Sequence, residues 1–202
     1  GVETAWTPLA WPLADVIVQY ESDGWPWRAI SRNRRLTLTN GVDVAKRPLA
    51  PGWAARATYH LVAAGTLAQW HGYDRLIAGL PHHLEVTLTV VGDGPELPHL
   101  RALAAAHRLN SRVRFTGTLI GAAFDEVMAA ADVGVSSLGE HRRGNFALSP
   151  LKTRDYLARG LPMVHSGDDP DLRDDPAFAH RVPASDAPLD LSGVTAWLDR
   201  IR

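Results

Sequence analysis

From Tyr59 onward, short apolar runs alternate with stretches in which apolar residues recur every three or four positions. The runs Tyr59–Ala64, Val86–Val91, Val113–Phe115, Val133–Ser136 and Pro162–His165 have the length and content of strands. Helical spacing occupies Tyr73–Leu80, Glu96–Leu109, Ala122–Ala131 and Pro150–Arg159. In the second of these, Leu97, Leu100, Leu103 and Ala104 share one face, and after Ser192 a stripe of Val194, Trp197, Leu198 and Ile201 predicts a final helix. Strands apolar throughout, each followed by a helix, are buried on both sides. They predict an α/β domain over residues 51–202, a mainly parallel sheet in a three-layer α/β/α arrangement.

The first fifty residues do not share this pattern. They hold Trp6, Trp11, Trp25 and Trp27, several prolines, and two strand candidates, Val16–Tyr20 and Leu36–Thr39, with an Asn40-Gly41 turn after the second. Such a segment is poor material for a core of its own. Residues 1–50 read as the remnant of a preceding domain together with a linker.

In an open parallel sheet, ligands bind beyond the carboxyl ends of the strands. The loops there carry Gly65-Thr66 through His71-Gly72, then Gly92-Asp93-Gly94, Gly117-Thr118-Leu119 and His141-Arg142-Arg143-Gly144. Next comes Ser149-Pro150-Leu151-Lys152-Thr153-Arg154-Asp155, which opens a short helix. Ser149 suits the N-cap and Pro150 the first turn, while Gly160 and Pro162 end it. Lys152 and Arg154 stand near the positive end of the helix dipole, which disfavours cations. An anion held there by free amides and Lys152 together would account for them, and a phosphate-bearing ligand is the natural candidate.

The other candidates are weighed against plainer roles. Gly92-Asp93-Gly94 lacks the third glycine of a dinucleotide fingerprint, since position 97 is Leu97, so a tight strand-to-helix turn competes with phosphate binding. The Arg142-Arg143 pair is either a solvated basic loop or an arginine fork for phosphate oxygens. A lone histidine such as His71 is commonly structural, and only its edge location promotes it. Asp169 and Asp171 have the spacing of a cation-binding pair, but Asp-Pro and Gly-Asp are ordinary turn chemistry and no metal is expected.

Bulk properties narrow the class. With 202 residues, 46% hydrophobic and 21% charged, the chain is an ordinary globular sequence. A formal net charge of −1 provides no global attraction to nucleic acid or to an anionic membrane, so any anion site is local. There is no cysteine, which excludes disulfides and thiolate metal ligands. No apolar run approaches the ~18 residues of a membrane span. Residues 1–4 have no signal-peptide character, and the expected location is cytoplasmic.

Taken in order, several segments resemble the second domain of GT-B glycosyltransferases of the family-four type. These are Asn40-Gly41-Val42-Asp43, the strand ending at Gly65, His71-Gly72-Tyr73-Asp74, Val90-Val91-Gly92-Asp93-Gly94-Pro95, Val113-Arg114-Phe115-Thr116-Gly117, Ala130-Ala131-Asp132-Val133, and Ser149 through Pro162. The resemblance spans about residues 40–165 and implies a Rossmann-like domain that binds a nucleotide-sugar donor. It places Gly117, Thr118 and Leu119 near the nucleobase. Ser149, Pro150, Leu151 and Lys152 would meet the diphosphate or sugar, and Asp155 the ribose hydroxyls. Thr66, His71, Gly92, Gly94, Arg142 and Arg143 complete the expected donor site, and Lys152 and Arg143 are the candidates for stabilising the leaving group.

The family transfers sugars with retention and without a metal cofactor. Its second partner, an acceptor-binding domain, has no counterpart in the pattern, so the chain is expected to be a donor half, inactive by itself. Three positions depart from the family: Thr66 replaces an arginine, His71 a lysine, and Ala147 the first of two paired glutamates, with Asp155 at the second. Two rival readings stand beside this one. One is half of a sugar-nucleotide epimerase, the other a non-catalytic nucleotide-binding module.

Overall fold

A computed structural model describes residues 16–20, 34–51, 58–143, 149–172, 174 and 176–201. The tryptophans of the first segment and Ala147 lie outside them. The chain divides into two units, residues 1–40 and 41–202. In the first unit, β1 (Val16–Tyr20) and β2 (Arg34–Leu38) pair in parallel, from Val16 opposite Arg34 to Tyr20 opposite Leu38.

The second unit follows the alternation of the sequence. Its strands are β3 (Tyr59–Ala64), β4 (Val86–Val91), β5 (Val113–Gly117), β6 (Val133–Val135), β7 (Met163–His165) and β8 (Ala179–Arg181). Its helices are α1 (Tyr73–Gly79), α2 (Leu97–Ala106), α3 (Ala122–Ala129), α4 (Leu151–Ala158) and α5 (Leu191–Ile201). All neighbouring strands run parallel, in the order β5-β4-β3-β6-β7-β8. The order reverses between β3 and β6, so loops leaving these two strands diverge and open a crevice at the carboxyl edge. This is the Rossmann-like, three-layer arrangement expected. Strand β8 was not anticipated: three residues with only Ala179 buried carry too little pattern to read.

Alternation along β3 builds the two cores. Tyr59, Leu61 and Ala63 join Leu76 and Ile77 of α1, Leu100 of α2 and Trp197 of α5. Val62 and Ala64 point the other way, onto Met128 of α3 and Tyr156 of α4. Period-two alternation is therefore present even though every position is apolar.

Residues 41–50, which composition groups with the first segment, belong to the second unit. Asp43 caps a 3₁₀ turn over Val44–Lys46, accepting from Ala45 N–H at 3.2 Å, and Ala50 N–H donates to Arg159 O at 2.8 Å. This peptide contact fastens the stretch to the end of α4, and composition has no means of showing it.

Candidate functional site

Helix α4 starts one residue later than expected. Pro150, extended at φ −65° and ψ 136°, is the N-cap residue, and no side chain caps the helix. Ser149 is displaced from that role: it is buried, and its hydroxyl accepts from Arg154 Nη2 at 2.7 Å. The C-terminus is as expected. Gly160 has φ +69°, its N–H donates to Leu157 O at 3.0 Å, and Leu161 N–H donates to Tyr156 O at 3.0 Å, the paired bonds of a Schellman motif.

The two cations of α4 have separate fates. Arg154 turns into the protein and forms a bidentate pair with Asp169, at 2.6 and 2.7 Å, with Asp171 as a further partner. Its place near the helix start is thus explained by the acidic loop after β7 rather than by a ligand. The same bonds occupy the acids that sequence weighed as cation ligands. Lys152 faces the opposite way, into the carboxyl-edge crevice.

That crevice is a cleft of about 400 Å³. Thr66, Gly92, Thr118, Leu119, Leu151, Lys152 and Asp155 line it, so three sheet-edge loops and one helix bring these candidates together. A second groove of about 520 Å³, among Leu157, Leu161, Pro162 and Phe178, is lined by apolar groups and lacks the means for anion chemistry.

Lys152 Nζ donates to Tyr73 Oη at 3.0 Å and lies 5.1 Å from the centre of that ring. Tyr73 Oη in turn donates to Ala64 O at 3.0 Å, and Ala64 N–H donates to Tyr156 Oη at 3.0 Å. Both polar groups of the last β3 residue are therefore held by tyrosines from different helices. Burial lowers the Lys152 pKa from 10.5 to about 7, with the charge of Glu140 opposing the shift. Tyr73 moves the other way, raised well above 10 by burial, and stays a neutral phenol.

His71 stacks on Tyr73 with ring centres 5.5 Å apart and converges with Lys152 over Gly65. Burial, then the neighbouring Lys152 and Arg143 charges, lower its pKa to about 3 against a hydrogen bond with the Thr66 backbone. It is a neutral imidazole that supports the Thr66 loop, and it supplies no positive charge.

At the next turn of α4, Asp155 is held between two guanidinium groups. Arg159 Nε donates to Oδ2 at 2.8 Å, and Arg47 Nε pairs with Oδ1. Arg159 also pairs with Asp125 at 2.8 Å and covers the Phe124 ring, 5.3 Å from its centre. Sequence reasoning missed Arg47, Val42 and Phe124, all part of the cleft wall. Arg47 lies in a stretch read as linker, where no local pattern marks it.

The remaining candidates have structural partners of their own. Gly94 and Gly92 are needed by packing: a Cβ on Gly94 would lie 2.6 Å from Leu67 O, and one on Gly92 would overlap Gly65 O. The loops after β3 and β4 interlock there, with Leu67 N–H donating to Asp93 O at 2.9 Å and Glu96 N–H to Leu67 O at 3.0 Å. Gly117 ends β5 beside the cleft and accepts from Gly92 N–H at 2.8 Å. Arg142 is not available to a ligand. It makes a bidentate pair with Asp74, at 2.8 Å for both bonds, and also bonds Asp186 at 2.8 Å and Gln69 O at 2.9 Å. Arg143 is exposed and stacks on Trp70, 4.8 Å from the ring centre.

A doubly wound parallel sheet, with one amine and one carboxylate on successive turns of a helix that lines its carboxyl-edge cleft, defines a Rossmann-like α/β domain. The sequence profile described as "Glycosyl transferases group 1" matches residues 58–181, and the chain belongs to that family. It is 31% identical over 133 residues to a glycogen synthase of Mycobacterium tuberculosis (strain CDC 1551 / Oshkosh), a match covering 64% of this chain and 31% of the relative.

Among solved structures, it is similar to Anabaena Alr3699/HepE in complex with UDP, with a TM-score of 0.70 and 20% identity over 95% of this chain and 56% of that one. It is also similar to sucrose-phosphate synthase from Thermosynechococcus elongatus, with a TM-score of 0.68 and 18% identity over 96% and 50% of the two chains. The chain thus spans about a third of the curated relative and about half of these structures, which share the GT-B fold. No helix of the described residues is long and apolar enough to cross a membrane.

Proposed function

We propose that residues 41–202 bind the nucleotide-sugar donor of a retaining glycosyltransferase, working opposite an acceptor-binding domain. The observation that carries this reading is the pairing of Lys152 and Asp155 one helical turn apart in a cleft at the switch point of the sheet. A diphosphate at the start of α4 meets Lys152 and the leading amides of the helix. About 4.5 Å further along the helix, at its rise of ~1.5 Å per residue, the Asp155 carboxylate accepts from ribose hydroxyls. The Thr118-Leu119 loop then faces the base. The structure of HepE with UDP supports a uridine nucleotide as the first donor to try.

Transfer leaves a nucleoside diphosphate whose negative charge grows as the glycosidic bond breaks. Lys152 and the helix start stabilise that charge where it develops. Asp169 and Asp171 are engaged by Arg154, so in this reading the protein's own cations do this work without a metal cofactor. The epimerase alternative needs a histidine or carboxylate free to exchange protons in the cleft. It gains no support from His71, which is neutral and bonded to backbone.

Titration with UDP, GDP and ADP tests the proposal, with binding of at least one expected. Lys152→Ala should weaken it by ~1.5–3 kcal/mol, the worth of a charged hydrogen bond. Unchanged affinity in that variant would place the phosphate elsewhere, and no binding by wild type would defeat the donor reading. Robust sugar transfer by the 202 residues alone would refute the need for an acceptor-binding domain, and loss of transfer on adding EDTA to the complete enzyme would refute the metal-free step.

A further inference from the structure

The cleft has two chemically different ends. One is polar, where Lys152, His71 and Gly65 meet. The other lies around Asp155, one turn along α4, where Arg159 covers Phe124 and Val42 and Leu119 complete the wall. Arg47 sits at this second end with its side chain 31% exposed and its Nε against Asp155.

The arginines nearby differ in what they have left to give. Arg154 spends its guanidinium on Asp169, Asp171 and Ser149, and Arg159 divides between Asp155 and Asp125. Among the described residues, the terminal nitrogens of Arg47 donate to no protein acceptor. They are held in place by the Asp155 contact and open to the cleft, beside an aromatic and aliphatic wall. A phosphate is poorly suited to such a wall. A flat heterocycle bearing carbonyl oxygens fits both features, its face on the apolar groups and its edge on the guanidinium.

We infer that Arg47 is a specificity-determining residue that contacts the nucleobase of the donor and favours bases with exocyclic carbonyl oxygens. Uracil and guanine present such acceptors, whereas the corresponding edge of adenine carries an amino donor. The inference rests on the donor reading above and adds a residue and a selectivity to it. Asp155 then serves both partners: a carboxylate has enough lone pairs to orient Arg47 and still accept from ribose hydroxyls.

The test compares wild type, Arg47→Lys and Arg47→Ala by calorimetric titration with UDP, GDP, ADP and inorganic pyrophosphate. Arg47→Lys keeps the charge and the pairing with Asp155 but loses the planar fork, so it separates recognition from folding. Thermal unfolding of both variants confirms that they are folded. Wild type is expected to bind UDP or GDP more tightly than ADP. Both variants should weaken the preferred nucleotide by about 10- to 100-fold. They should move pyrophosphate by less than about threefold, since no base is present. Equal losses for pyrophosphate and nucleotide would make Arg47 a phosphate ligand and overturn the inference alone, as would unchanged nucleotide affinity or a wild-type preference for ADP. Failure of wild type to bind any nucleotide would overturn the donor reading and this inference together.

Discussion

Raising the pH from 7.0 to 8.5 should weaken the binding of a sugar nucleotide through the loss of one proton from Lys152. Burial against Tyr73 and His71 brings the amine down from 10.5 to about 7, so the free protein is half protonated at neutrality. A bound diphosphate favours the ammonium and lifts its pKa again. Ligand thus selects the protonated protein: affinity is level below pH 7 and declines above it, approaching tenfold per pH unit. Over the stated interval the protonated fraction falls about 15-fold, or about 1.6 kcal/mol. Tyr73, raised well above 10, and His71, lowered to about 3, do not change charge in this range. A sugar nucleotide is the right probe because a free nucleoside diphosphate has a terminal phosphate that titrates near pH 6. Calorimetry in two buffers of different ionisation enthalpy would register uptake of close to one proton at pH 8.5. Lys152→Arg should flatten the profile, since arginine stays charged. A level wild-type profile, or the same slope in Lys152→Arg, would refute the assignment of the proton to Lys152.

Three other substitutions probe the frame. Arg154→Ala leaves Asp169 buried without its partner and should cost about 3–5 kcal/mol by urea unfolding, with a large part recovered in Arg154→Met combined with Asp169→Leu. Gly92→Ala places a Cβ against the Gly65 carbonyl at φ +127°, and a loss of at least about 3 kcal/mol is expected from the same assay. Arg142→Ala should lower stability by ~1 kcal/mol, as befits a partly exposed ion pair, and leave nucleotide affinity within about twofold. A marked loss of affinity there would restore Arg142 to the site.

Much of the fold was legible because it is written in short-range pattern. β3 and β4 follow the apolar runs residue for residue, and Gly160 marks the end of α4. The cleft was legible in part, since strand ends bring Thr66, Gly92, Thr118 and the start of α4 together by topology alone. What short-range pattern does not carry is the long-range partner. Arg142 meets Asp74 across 68 positions, and Lys152 meets Tyr73 across 79. A charge pattern marks a cation that needs a partner but does not say which partner it finds. For that reason Arg154 looked like half of an anion site and is the fastening of an acidic loop. Arg47, in a segment with no periodicity, had no local signal at all.

The interlocked loops after β3 and β4 bear on how this cleft can be altered by selection or by design. Gly65, Leu67, Asp93, Gly94 and Glu96 share backbone hydrogen bonds or a surface with no room for a methyl group. A change of length in either loop, or a side chain added at Gly92 or Gly94, breaks its closure against the other. A graft that changes the donor must therefore move residues 65–67 and 92–96 as one cassette. Variation is cheaper at Thr118-Leu119 and in residues 42–47, where the cleft wall has no such reciprocal bond.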